Sequence, residues 1–78
     1  MEFRKGELVI CTAGREKDRL MCVVAFDEKY VYVCDGKERL LNNPKRKNPK
    51  HIIKINKQFS QDMFLTDRAL RKALSKEG

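Results

Sequence analysis

Positive charge is concentrated in one part of this chain. Eight of its 18 Lys and Arg residues lie between positions 37 and 57, a stretch with a single acidic residue, Glu38. The stretch has a net charge of +7, equal to that of the whole protein. So dense a patch repels itself in the folded state, and we expect a polyanionic partner whose condensed counterions are released on binding. The eight cations are Lys37, Arg39, Lys45, Arg46, Lys47, Lys50, Lys54 and Lys57.

Two prolines bracket the densest part of this patch, residues 42–50. Pro44 and Pro49 lack a backbone donor and restrict the residue before them, which predicts a loop or irregular edge strand with its side chains held outward. A solvated loop or a nuclear import signal has similar composition, but a position within a series of strands favours a binding loop. The side chains offered to phosphate are Lys45, Arg46, Lys47 and Lys50, followed by His51, which is equally compatible with a rim residue that begins a strand.

A second loop, residues 13–19, also has the composition of a phosphate-binding turn. Gly14 permits backbone angles that other residues resist, so the loop can turn tightly around an anion. Glu16 and Asp18 dilute its charge, and composition alone favours a self-compensated surface loop. Its cations are Arg15, Lys17 and Arg19.

The three cysteines, Cys11, Cys22 and Cys34, contain no CxxC pair. A zinc site would require all three to converge on His51, the only histidine, whereas zinc sites in small domains have short ligand pairs. We expect reduced, mostly buried thiols in strands, with no metal and no cofactor.

Size and composition restrict the class of protein. A chain of 78 residues forms one domain that buries only about 60% of its unfolded surface, so a large enclosed substrate pocket is not expected. There is no Gly-rich phosphate loop, no Cys–His pair at a recognisable spacing and no serine elbow, so we expect a binding module, not an enzyme. No apolar run has the length of a membrane span, and residues 1–5 do not begin a signal peptide. We expect a cytoplasmic protein that is monomeric when isolated.

Five short runs rich in β-branched, aromatic or leucine residues predict strands. Turn signals separate them, and such a series predicts a small, strongly bent antiparallel barrel in residues 1–57. The runs are Glu7–Thr12, Leu20–Phe26, Tyr30–Cys34, Lys37–Leu41 and His51–Ile55.

Residues 58–78 are predicted to form a linker and a C-terminal helix. Thr66 is a favourable N-cap, and Leu65 before it can contact Leu70, so a helix from Asp67 to Lys76 is indicated. We expect Leu70 and Leu74 to pack against the barrel opening, the alternative being a docking site for a protein partner or a second copy.

Asp35-Gly36 predicts a two-residue type I′ hairpin between the third and fourth runs. That register turns Val31, Val33 and Leu40 inward. It places four other side chains together on the outer face, where a base could stack and cations meet phosphate. An ordinary cross-strand pair of Tyr32 with Arg39 is the more common outcome of such a pattern. The four are Tyr30, Tyr32, Lys37 and Arg39.

The frame GELVICTAGREKDRLMCVV resembles the KOW motif, a strand, glycine loop and strand unit of SH3-like barrels. With DGKERLLNNPKRKNPKH at its spacing, the chain is similar to the fourteen-e, six-e and twenty-seven-e group of archaeal and eukaryotic large-subunit ribosomal proteins. It is closer to their short bacterial relatives, the KOW-domain RNA-binding proteins. The segment TDRALRKAL near the end of this chain also resembles the tail of those bacterial proteins. Asp18 departs from the family pattern, because many KOW loops have a second glycine there.

The resemblance implies an SH3-like barrel that binds ribosomal or other structured RNA, alone or with ribosome or ribonucleoprotein components in translation. The alternative is a protein–protein adaptor that engages an acidic partner in translation or transcription. Duplex DNA is less favoured, because no recognition helix carries the basic cluster. The positions that match the motif loop are Gly14, Arg15, Lys17 and Arg19, and those that match the basic stretch are Lys45, Arg46, Lys47, Lys50 and His51.

Overall fold

A computed structural model describes residues 2–77 and shows one antiparallel sheet of five strands followed by a helix. The elements are β1 (Glu7–Cys11), β2 (Leu20–Phe26), β3 (Val31–Cys34), β4 (Lys45–Lys47), β5 (Ile52–Gln58) and α1 (Asp67–Glu77), with short 3-10 helices at Pro49–His51 and Gln61–Phe64. The strand order is β4-β3-β2-β1-β5. This is the mainly β, small SH3-like barrel with a C-terminal helix that the sequence predicts. Met1 and Gly78, the outer ends of the two predicted regions, lie outside the described residues.

Strands β1 and β2 are nearly continuous apolar runs because both of their faces are covered. Neighbouring side chains in a strand point to opposite faces, so Val9 faces the barrel interior while Leu8 faces the other side. The interior cluster comprises Phe3, Val9, Cys11, Met21, Val23, Val31, Val33 and Ile52. Register shifts in the β2–β3 and β1–β5 pairings bend the sheet, as bulges do.

Helix α1 covers the outer face of the sheet, not the barrel opening where the sequence places it. Leu70 and Leu74 are buried there against Leu8, Cys22 and Cys34, which form a row across three strands. This second core explains why so short a helix is stable, since an isolated helix of this length is marginal in water. Within residues 2–77, no helix has the length and apolar character needed to span a bilayer.

The N-terminus of α1 has the predicted cap, but not the predicted staple. The Ala69 amide donates to the Thr66 hydroxyl at 3.1 Å. Leu65 is 63% exposed and does not cover buried Leu70.

The predicted fourth strand and its type I′ hairpin are wrong. The Asp35 carboxylate accepts hydrogen bonds from three successive amides, those of residues 37–39, at 2.9 to 3.0 Å, which closes a broad turn. Gly36 has a φ of 75°, whereas Asp35 has no positive φ, so a type I′ geometry is excluded. Leu40, predicted to face inward, is 40% exposed.

The fourth strand is instead formed by residues 45–47, inside the stretch predicted to be a loop or irregular edge. Lys47 lies opposite Val31, Arg46 opposite Tyr32 and Lys45 opposite Val33. Because side chains alternate along a strand, the three cations are divided between two faces and do not form the outward row that the sequence suggests.

Candidate nucleic-acid interface

A buried carboxylate joins the two segments that the sequence singles out for binding. Glu16, in the loop between β1 and β2, is 3% exposed. Its Oε1 lies 3.0 Å from Lys47 Nζ, and its Oε2 lies 3.5 Å from Arg39 Nε. The Lys47 ammonium also donates to the carbonyl of Ala13 at 2.8 Å. Residues 13–19 are therefore held directly against β4.

The charge of Glu16 is stabilised although the side chain is buried. Burial by itself raises the pKa of Glu16, but the combined attraction of Lys47, Lys45 and Arg39 outweighs it, and the pKa falls below its ordinary value. No donor in residues 2–77 makes a well-aligned hydrogen bond to Oε1.

Lys47 differs from its predicted role as a phosphate contact. It is only 6% exposed, because it lies opposite Val31 and shares that residue's inward-facing side of the sheet. A Cβ at Gly14 would lie 2.8 Å from Lys47 Nζ, so the glycine leaves room for the ammonium beneath the loop. Gly14 also has a φ of 81°, which favours glycine. Lys47 therefore supports the loop through its hydrogen bond to Ala13, and Gly14 supplies the backbone turn that leaves space for the ammonium.

Two other predicted RNA contacts are also neutralised by acidic side chains. Arg19 binds both carboxylate oxygens of Glu38, one of them at 3.2 Å, and approaches Asp35 at 3.9 Å. The hydrogen bond from Arg19 lowers the pKa of Glu38 and raises the pKa of Arg19 itself. Arg39, the second of these two contacts, is half-buried and pairs with Glu16.

The charged side chains among the other predicted RNA contacts make no ion pair with a carboxylate within residues 2–77, and they lie on neighbouring segments. The Thr12 amide donates to the carbonyl of His51 at 2.9 Å, so the 3-10 helix at residues 49–51 lies beside the start of loop 13–19. The Asn48 side chain caps that helix by accepting from the Lys50 amide at 2.9 Å. Asp18 has a φ of 68°, which lies in the left-handed region that favours glycine.

We call this surface the basic end. Its side chains are exposed or half-buried and make no ion pair with a carboxylate within residues 2–77. The basic end comprises Arg15, Lys17, Lys45, Lys50 and His51.

An aromatic site adjoins it on the outer face of β3 and β4. The Arg46 guanidinium lies 4.6 Å from the centre of the Tyr30 ring. The Tyr32 hydroxyl donates to Asp27 at 3.0 Å, and this hydrogen bond raises the pKa of Tyr32. The predicted partner of the tyrosines, Arg39, is replaced by Arg46, because β4 and not residues 37–41 pairs with β3. These side chains line a shallow open groove.

The cysteines are free, buried thiols in β1, β2 and β3, as the sequence predicts. Burial raises the pKa of Cys22 and of Cys34 to about 12. In the part of the chain that the structure describes, no group of three or more His, Cys, Asp or Glu residues is placed to hold a metal ion.

Glu16 is the residue that sequence reasoning missed. It stands among charged neighbours in a loop that composition assigns to the surface, and no pattern in the sequence distinguishes it from Asp18. Only the structure shows that Glu16 pairs with Lys47 of β4 and with Arg39 of the turn at residues 35–39.

No protein-family model matches this chain, and no curated protein matches it at a significant level.

Proposed function

We propose that this protein is an RNA-binding module, without enzymatic activity, that contacts phosphates through the basic end. The observation that carries the proposal is the division of charge within the fold. Glu16, Glu38 and Asp35 are each engaged by other partners inside the protein, and no cation of the basic end makes an ion pair with a carboxylate within residues 2–77. Uncompensated cations on a small rigid scaffold favour a polyanion, because binding releases its counterions.

The aromatic site supports RNA over a generic polyanion. Tyr30 is half-buried, with Arg46 over its ring, and a guanidinium or phenol plane is a platform on which an unpaired base stacks. Arg46 is exposed and makes no ion pair in the described part of the chain, so it also offers a charge to a neighbouring phosphate. Acidic proteins offer neither bases nor a regular phosphate backbone.

Structured RNA, and ribosomal RNA in particular, is the ligand we propose, in keeping with the resemblance to KOW-domain ribosomal proteins. The cations of the basic end extend from a loop, a three-residue strand and a short 3-10 helix, and none of them lies on α1, so the basic end presents no α-helix to the major groove of DNA. Recognition through shape and phosphate geometry is the mode such a surface allows.

Salt dependence of binding to purified bacterial ribosomal RNA tests this function. Each phosphate contact contributes a logarithmic slope of roughly 0.7 to 0.9, so replacing Lys45, Arg46 and Lys50 with alanine should flatten the slope by about 2 to 3. The matched control replaces three other exposed cations, Arg4, Lys5 and Lys76, with alanine and so removes the same number of charges. Equal slopes for the two triple variants would contradict the proposal.

The adaptor alternative predicts a different outcome in affinity purification. Protein partners that remain bound after ribonuclease treatment would favour an acidic protein ligand. Partners that are lost on RNA digestion support the RNA-binding function.

A further inference from the structure

The groove between α1 and the turn at residues 35–39 contains two cations that the basic end does not include. It is lined by Leu20, Asp35, Lys37, Arg71, Leu74 and Ser75. Lys37 and Arg71 are exposed, and neither makes an ion pair within residues 2–77. They come from the turn and from the helix, that is, from the two sides of the groove.

Close backbone packing fixes these two sides relative to each other. Gly36 is buried, and a Cβ there would lie 2.2 Å from the Asp67 carbonyl oxygen and 3.0 Å from the Arg71 amide nitrogen. The Leu41 amide donates to the Asp67 carboxylate at 2.7 Å on the far side of the same turn. Lys37 directly follows Gly36, so its backbone and that of Arg71 are held close together. Fixing the two backbones reduces the entropy that is lost when both side chains bind one phosphate.

Among the described residues that line the groove, Asp35 is the one carboxylate, and it is engaged elsewhere. Asp35 Oδ1 accepts from the amides of residues 37–39, and Oδ2 faces Arg19 at 3.9 Å. Neither Lys37 nor Arg71 is paired with Asp35, and the neighbouring carboxylate, Glu38, is bound by Arg19. The contact with Arg19 also ties this turn to loop 13–19, which carries Arg15 and Lys17 of the basic end.

We propose that Lys37 and Arg71 form a second phosphate-binding site, which extends the RNA footprint from the basic end onto α1. This inference rests on the proposed function. Leu74 is buried and Leu20 is half-buried, whereas the two cations that line the groove with them are exposed, so a strand that leaves the basic end can place a phosphate between Lys37 and Arg71. Helix α1 then has two roles, because its Leu70 face closes the outer core while its Arg71 side binds ligand.

The test compares the salt dependence of binding to purified bacterial ribosomal RNA for three double variants. Replacing Lys37 and Arg71 with alanine should reduce the logarithmic slope by about 1.5, for two lost phosphate contacts. Exchanging them, Lys37→Arg with Arg71→Lys, keeps both charges and should retain the wild-type slope. The matched control replaces Lys72 and Lys76, which are exposed on the same helix, and should leave the slope closer to wild type.

Two results would overturn this inference while leaving the proposed function intact. One is a wild-type slope for RNA binding after Lys37 and Arg71 are replaced with alanine. This result overturns the inference whether or not the same variant also loses binding to a glutamate-rich peptide. The other is an equal loss of slope in the Lys72 and Lys76 control, which would assign the effect to net charge. Absence of RNA binding by the wild-type protein would remove the proposed function and this inference together.

Discussion

The Lys47 ammonium lies 3.0 Å from the Glu16 carboxylate, and both side chains are buried. This pair connects β4 to the loop between β1 and β2, the two segments that carry most of the basic end. Removing one member of a buried pair leaves an uncompensated charge, which costs far more than the loss of a surface pair. The pair therefore holds together the segments that carry the exposed cations, while its own buried side chains are not accessible to the proposed ligand.

Replacement of Lys47 with methionine should destabilise the protein strongly. The change keeps much of the side-chain volume but removes the nearest cation from buried Glu16, and a loss of about 3 kcal/mol is expected. Lys50→Ala is the control, since Lys50 is exposed and a change of less than about 0.5 kcal/mol is usual at such sites. Urea unfolding measures both. Similar losses for the two variants would mean that the buried pair has no special weight.

The stabilisation from Glu16 should disappear in acid. Its folded pKa lies below the ordinary value of 4.5, so the unfolded chain takes up a proton at higher pH than the folded protein does. The contribution is therefore present above pH 4.5 and is lost as pH falls through the lower, folded pKa. The difference in unfolding free energy between the wild type and Glu16→Gln should shrink over this range. If urea titrations give the same difference at about pH 7 and about pH 3, the predicted linkage is absent.

Loss of the Tyr30 ring should weaken RNA binding without changing its salt dependence. Tyr30→Leu removes a stacking plane but no charge, and one stacked base is worth about 1–3 kcal/mol, or roughly 5- to 150-fold in affinity. Tyr32→Phe retains its ring, loses only the hydrogen bond to Asp27, and serves as the control. Fluorescence anisotropy with a labelled single-stranded RNA measures both. An unchanged affinity for Tyr30→Leu would exclude this ring from the interface.

The cysteines should resist alkylation in the folded state. With pKa values raised to about 12, Cys22 and Cys34 have about one thiol in ten thousand ionised near pH 8, and burial also blocks access. Iodoacetamide labelling followed by mass spectrometry should modify all three cysteines in urea and none in native buffer. Rapid native labelling of Cys22 or Cys34 would show that the outer core opens readily.

Helix α1 should be required for stability through its buried leucines. Leu70→Ala is expected to cost about 2–5 kcal/mol, because Leu70 is fully buried against Leu8 and Phe59. The matched control is Leu65→Ala, the same change at a residue that is largely exposed, which should cost less than about 0.5 kcal/mol. Equal costs in thermal unfolding would contradict the outer-face packing of the helix.

The apolar strands and the helix were predictable because their signals are local. Residues 20–26 form a strand with the predicted bounds, and α1 begins at Asp67, directly after its capping Thr66. A continuous apolar run predicts a buried strand, and a capping residue predicts a helix start, in almost any tertiary setting. The mainly β class followed from these elements alone.

The fourth strand was not predictable in the same way. Asp35-Gly36 is a strong hairpin signal, yet the Asp35 side chain binds three backbone amides and closes a different turn. Residues 45–47 consist only of Lys and Arg, so their strand has no apolar signature and depends on pairing with β3. That pairing also decided which cations are exposed, because alternation turned Lys47 inward and Arg46 outward.

Crosslinking of the protein to RNA in living cells, followed by sequencing of the RNA and mass spectrometry of the crosslinked peptides, tests the central claim most directly. We predict ribosomal RNA fragments attached through peptides that contain residues 13–19 and 45–51. Recovery of no RNA above background, or attachment only through residues remote from the basic end and α1, would contradict it.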